Sequence, residues 1–141
     1  KSADLNNIQI DNYDGTIFTT SGINITATGN ATVVQLPVET FDTHNYLAAS
    51  DIVIAKAGWG TISEALLSKR NLVLTEREDV LEDTENIEEL KRRGVAVSIK
   101  ESDLARIDMN TIRDLIAEKI VRENLDAYQN AVEDIIQALY I

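Results

Sequence analysis

The feature that most constrains the fold is a succession of short, almost wholly apolar segments separated by helix-length polar stretches. Ile52–Ala55, Leu72–Leu74 and Val95–Ile99 have almost no polar face to turn to water, and between them lie Thr61–Lys69 and Glu82–Arg93, each with helical spacing. A strand apolar on both sides must be covered on both, and helices alternating with such strands supply the cover, so the pattern predicts a parallel sheet between helices. The alternation extends upstream through a strand at Thr32–Leu36, closed by Pro37, and a short helix at Thr43–Ser50 capped by Thr43. Gly94 follows the Glu82–Arg93 helix at the position where a left-handed residue ends a helix. The predicted class is α/β with a doubly wound parallel sheet.

The two ends of the chain read differently. Residues 1–31 are rich in Asn, Asp, Thr, Gly and Ser, with β-branched pieces at Ile8–Ile10, Thr16–Thr19 and Ile23–Ala27. A turn at Asn12-Tyr13-Asp14-Gly15 makes the first two a hairpin or two short strands. At the other end, Ile112, Leu115, Ile116 and Ile120 form one apolar stripe, and Leu125, Tyr128, Val132, Ile135 and Leu139 form another. These predict helices packed on the sheet, jointed at Arg122-Glu123-Asn124.

Composition narrows the functions. The 141 residues suit one domain, and 13 Lys and Arg against 24 acids give a net charge of −11. Nucleic acid and anionic membrane surfaces are therefore not expected as general partners, and any phosphate must be held locally. There is no cysteine and only one histidine, His44, which excludes disulfides and thiolate chemistry and argues against a zinc site. No apolar run reaches the ~18–20 residues of a membrane span, so the chain is expected to be soluble. It begins at Lys1 rather than a methionine, as expected of a processed chain or of a piece of something longer.

The chemistry concentrates in Asp51-Ile-Val-Ile-Ala-Lys-Ala-Gly-Trp-Gly-Thr-Ile-Ser-Glu64, which reads as strand, glycine-bearing turn and helix start. Gly58 and Gly60 permit a sharp turn and close approach of a ligand, and the helix start aims free N–H groups and a positive dipole end at the loop. Thr61 or Ser63 adds a hydroxyl donor and Lys56 a charge, which together make an anion site. Glu64, one turn inside the helix, suits a vicinal diol better than a phosphate, and a nucleoside diphosphate presents both groups. The alternative at this point is a bare capping box, with Thr61 as cap and Glu64 as its partner. His44 is expected to cap or flank a short helix, Tyr13 to be a turn residue, Trp59 to pack beside the turn or cover a diphosphate, and Arg77 to neutralise acidic neighbours.

Ser50-Asp-Ile-Val-Ile-Ala-Lys-Ala-Gly-Trp-Gly-Thr-Ile-Ser-Glu-Ala-Leu66 closely resembles the donor-binding motif of GT-B glycosyltransferases, most of all the family 28 C-terminal domain. The likeness extends over residues 23–105, from Thr26-Ala-Thr-Gly29 through Val34-Gln-Leu-Pro-Val38 and Asn45–Asp51 to Leu90–Val97. It implies a Rossmann-like sheet, half of a GT-B fold, over 23–105, an irregular or hairpin segment over 1–22, and C-terminal helices over 106–141 on the same domain. It also implies a UDP-sugar donor, with Lys56, Gly58, Gly60 and Thr61 at the diphosphate and Glu64 at the ribose. Glu82, Asp83 and Asn86 would lie at the sugar, with a base pocket near Pro37 and Val38. No cofactor or metal is expected, and transfer would go to a glycan or glycolipid acceptor.

Departures from the family qualify this. Asp83 replaces a usual glutamine, Lys69-Arg70-Asn71 stands where Gly-Lys-Pro is common, and β-strand residues exit into Thr75-Glu76 in place of Val-Pro. Between Glu76 and Glu89 stand eight acids and one arginine, a run that points to solvent, binds a bridging cation or marks a decayed site. Where a glycine-rich loop and long helix normally open this domain, a polar Asn/Asp-rich hairpin region is expected instead. The acceptor domain is expected elsewhere, so the isolated chain is expected to be inactive, cytoplasmic, and peripheral at the inner face of the membrane through that partner domain. The alternative is a non-catalytic subunit or remnant of a split glycosyltransferase that docks on a membrane-associated partner.

Overall fold

A computed structural model of the chain describes residues 7–20, 22–37, 43–77 and 79–127. Val38 and the apolar stripe beyond residue 127 lie outside them, as do the side chains of Thr43, His44 and Glu82. The strands are β1 (Asn7–Asp11), β2 (Thr16–Thr19), β3 (Asn24–Thr28), β4 (Thr32–Gln35), β5 (Ile52–Lys56), β6 (Asn71–Glu76), β7 (Ala96–Lys100) and β8 (Arg106–Asp108). The helices are α1 (Thr43–Ala49), α2 (Trp59–Leu67), α3 (Leu81–Arg92) and α4 (Met109–Lys119), with a 3-10 turn at Glu101–Ala105. A further helical stretch occupies 122–127.

Every strand pairing is parallel, as the alternation of strand and helix predicts. The hydrogen-bonded ladders fall into three segments, ordered β5-β6-β7, β3-β1-β8 and β2-β4. β6 is paired on both edges and covered on both faces, which is why its sequence is apolar without alternation. Leu72 and Leu74 pack with Ile62, Ala65 and Leu66 of α2 and with Ile87 and Leu90 of α3. Val73, turned the other way, joins Val97, Ile10, Ile107 and Ile112 in a second cluster.

Two helix ends show what sequence can and cannot anticipate. After α3, Gly94 adopts φ +70, its amide donates to Lys91 O and the Val95 amide to Leu90 O, which closes the helix as predicted. α2 ends by the same pattern, with the Lys69 amide donating to Leu66 O and the Arg70 amide to Ala65 O. Here, however, the left-handed residue is Lys69 at φ 55, where glycine is common in the resembled family. A side chain in that conformation costs about 1–2 kcal/mol, partly offset by the greater freedom of an unfolded glycine. Lys69→Gly should therefore raise stability by about 0.5–1 kcal/mol, read as a higher urea midpoint.

β1 and β2 are two short strands rather than a hairpin. Asn12, at φ 62, turns the chain out of β1, and β2 pairs instead with β4. β1 runs between β3 and β8, and its last residue, Asp11, ties all three. The Asp11 carboxylate accepts from Gln9 Nε2 at 2.9 Å, Thr28 Oγ1 at 2.6 Å and Arg106 Nε at 2.8 Å. These hydrogen bonds, those from Gln9 and Thr28 foremost, lower its pKa from 3.8 to about 2. A lowered carboxylate pKa stabilises the fold above the unfolded value and loses that contribution as pH falls toward the folded value. The urea midpoint should therefore fall more steeply between pH 4 and pH 2 in the parent than in Asp11→Asn.

Tyr13, just past β1, lines a cavity of about 300 Å³ with Ile52 and Asn71, the first residues of β5 and β6. The exit of β1 thus lies toward the entrance of those strands and away from their carboxyl ends.

Candidate functional site

The carboxyl ends of β5 and β6 lie side by side, because Lys56 is registered with Thr75. Two loops leave this edge, one into α2 and one into α3. In the first, Gly58 caps α2 in an extended conformation, φ −91 and ψ 134, with no side-chain cap. Its amide donates to Lys56 O at 2.8 Å, and its carbonyl accepts the first helical bond from the Ile62 amide at 3.0 Å. The amides of Trp59, Gly60 and Thr61 precede that bond and find no acceptor among the described residues.

The two glycines do something narrower than turning the chain. Neither has a positive φ, and a Cβ at either position would meet nothing within 4 Å. Backbone strain and packing therefore do not explain them; their effect is to leave open the space before three unsatisfied amides at the positive end of a helix. Gly58 itself offers no donor, since its N–H is already used.

α2 begins two residues before the predicted start. Thr61 is consequently its third residue rather than its cap, and the Thr61–Glu64 capping box does not form. Glu64 is exposed and unpaired among the described residues, on the helix face that Gly60 begins and opposite buried Ile62, Ala65 and Leu66. Lys56 is exposed at the end of β5, also without an ion-pair partner among the described residues. Trp59 does not pack beside the turn: it is 52% exposed.

The second loop carries the residues expected at a sugar. Asp83, in the first turn of α3, is buried, and its carboxylate accepts from Arg77 Nε at 2.5 Å. That bond holds the Arg77 guanidinium above the ordinary arginine range, with Glu101 adding to it. Asp83 therefore does not face the crevice, whereas Asn86 is half-buried one turn further along α3. Pro37 is exposed at the exit of β4, in the separate β2–β4 pair. Among the described residues, several acids of this run have partners in the fold. Glu76 accepts from Ser98 Oγ at 2.7 Å, Glu88 pairs with Lys91, Glu89 with Arg92 and Arg93, and Asp83 with Arg77.

Parallel strands under helices, with open helix-start amides at the strands' carboxyl edge, define a Rossmann-like α/β domain. The chain belongs to the glycosyltransferase family 28 C-terminal domain, whose model matches residues 20–139. It is 37% identical over 84 residues to a UDP-N-acetylglucosamine–N-acetylmuramyl-(pentapeptide) pyrophosphoryl-undecaprenol N-acetylglucosamine transferase of Bacteroides thetaiotaomicron. That match covers 55% of this chain and 23% of the relative. Among solved structures, the glycotransferase of kitacinnamycin superposes with a TM-score of 0.58 at 14% identity, over 86% of this chain and 40% of that one. SnogD from Streptomyces nogalater does so with a TM-score of 0.53, also at 14% identity, over 87% and 39%. The chain thus spans a quarter to two-fifths of the proteins it matches.

Proposed function

We propose that this domain binds a nucleoside-diphosphate sugar, with uridine as its base, as the donor half of a glycosyltransferase. The observation that carries this is the trio of open amides at Trp59, Gly60 and Thr61, kept accessible by two glycines that the fold itself does not need. The diphosphate sits on these amides with Lys56 and the Thr61 hydroxyl beside it, and Glu64 takes the ribose diol. Asn86 serves the sugar, and the base lies toward Pro37; the Glu82 side chain and Val38, also expected there, lie outside what the structure describes. Transfer is a direct displacement at the anomeric carbon, in which the helix dipole and the amides stabilise charge on the departing diphosphate.

The acceptor and the general base come from a second domain, and the acceptor is a glycan or glycolipid. Contact with such an acceptor is peripheral, at the cytoplasmic face, through that partner; among the described residues no helix is long and apolar enough to cross a membrane. One observation favours the alternative of a docking subunit without donor affinity: Tyr13, at the exit of β1, lies beside the first residues of β5 and β6 rather than at their carboxyl ends. Calorimetric titration with UDP separates the two. Binding that Glu64→Ala weakens supports the donor site. No binding at millimolar UDP, with the partner domain supplied, overturns it in favour of docking.

A further inference from the structure

We propose that Arg77 is a second phosphate-binding residue of this site and that Asp83 is its positioning residue; this rests on the donor reading above. Registered Lys56 and Thr75 set Ala57-Gly58 and Glu76-Arg77 leaving neighbouring strands side by side, and such strands run ~4.8 Å apart. Arg77 is therefore a cation at the same edge as the open amides of α2. Its side chain is 35% exposed while that of Asp83 is 6% exposed, so the pair has one fixed, buried end and one end facing outward.

Asp83 uses only Nε, and the remaining guanidinium donors make no hydrogen bond among the described residues, although the Glu101 carboxylate is near enough to act on them electrostatically. A guanidinium anchored through Nε presents its two Nη groups as a preset fork, the geometry that suits two phosphate oxygens. Anchoring by a buried carboxylate also removes rotamer freedom before any ligand arrives, which lowers the entropic cost of binding. The pairing joins two of the departures from the family pattern: the acid at 83 and the altered strand exit that places an arginine at 77. An acid that would repel a diphosphate is withdrawn from the crevice, and a cation is placed there instead.

The test compares UDP with uridine, which lacks the phosphates, by calorimetry on the full chain. Arg77→Lys can still neutralise Asp83 but loses the fork, so UDP affinity should fall about ten-fold or more while uridine affinity stays unchanged. Asp83→Asn should weaken UDP binding by a smaller factor, and Asp83→Glu should recover it in part. If Arg77→Lys folds poorly, the double variant Arg77→Gln with Asp83→Asn removes both charges together and should show the same selective loss. A parent that binds UDP, with variants that keep its full preference for UDP over uridine, overturns the role of Arg77 alone. A parent that binds no UDP overturns the donor reading along with it.

Discussion

Leucine in place of Gly60 is expected to leave the thermal midpoint unchanged or slightly raised and to remove most UDP binding. Position 60 is the second residue of α2, in ordinary helical backbone, and a Cβ there meets no neighbour within 4 Å. Leucine is a better helix former than glycine by about 0.8 kcal/mol, so the fold gains. The Cα–Cβ bond of a helical residue tilts toward the helix start, which carries the new side chain over the amides of Trp59, Gly60 and Thr61. Denying those donors to a diphosphate removes several charge-assisted hydrogen bonds, each worth about 1.5–3 kcal/mol, so affinity should fall at least ten-fold. Stability and binding thus move in opposite directions, as expected of a residue kept for ligand access. A parallel loss of both would mean that Gly60 serves packing.

The largest stability effect is expected at Leu74. It is fully buried on the central strand, against Ile62 and Leu66 of α2 and Ile87 and Leu90 of α3. Leu74→Ala removes apolar area and leaves a cavity between two helices already held by the sheet, at a cost of about 2–5 kcal/mol. That is a large part of the 5–15 kcal/mol typical of a whole domain. Urea denaturation should show a much lower midpoint at an unchanged slope. Val34→Ala, on β4, where the side chain is 37% exposed, should cost less than about 1 kcal/mol.

Much of the fold was legible because β5, β6 and β7 are covered on both faces and say so in consecutive apolar residues. The Gly94 stop was legible for a similar reason, since one residue type suits that backbone. Boundaries set by unsignalled backbone bonds were not. Gly58 caps α2 without a side chain, whereas Thr61 has the residue type of a cap, so the sequence pattern points to a start two residues late. The joint after α4 falls at Ile120-Val121 rather than Arg122–Asn124, where the Val121 amide donates to Gly94 O, a contact across the chain. β8 is three residues long and exists by pairing with β1, ninety-odd positions away, which no local pattern records.

In the site, the motif marked the loop, but not its donors. Residue types singled out Gly58 for close approach, whereas the bond from its amide to Lys56 O leaves the next three amides to do the work. Asp83 was expected at the sugar on its resemblance alone. Only the side-chain geometry shows it turned inward to Arg77, the lone base in an acidic run.

Amide NMR during a UDP titration of the full chain tests the central claim most directly. The account predicts that the Trp59, Gly60 and Thr61 amide resonances shift downfield first and furthest, that Gly58 moves less because its N–H is already bonded, and that the exit of β1 near Asn12 stays still. Saturating UDP that leaves Trp59–Thr61 unmoved, or that moves the Asn12 end instead, would contradict it.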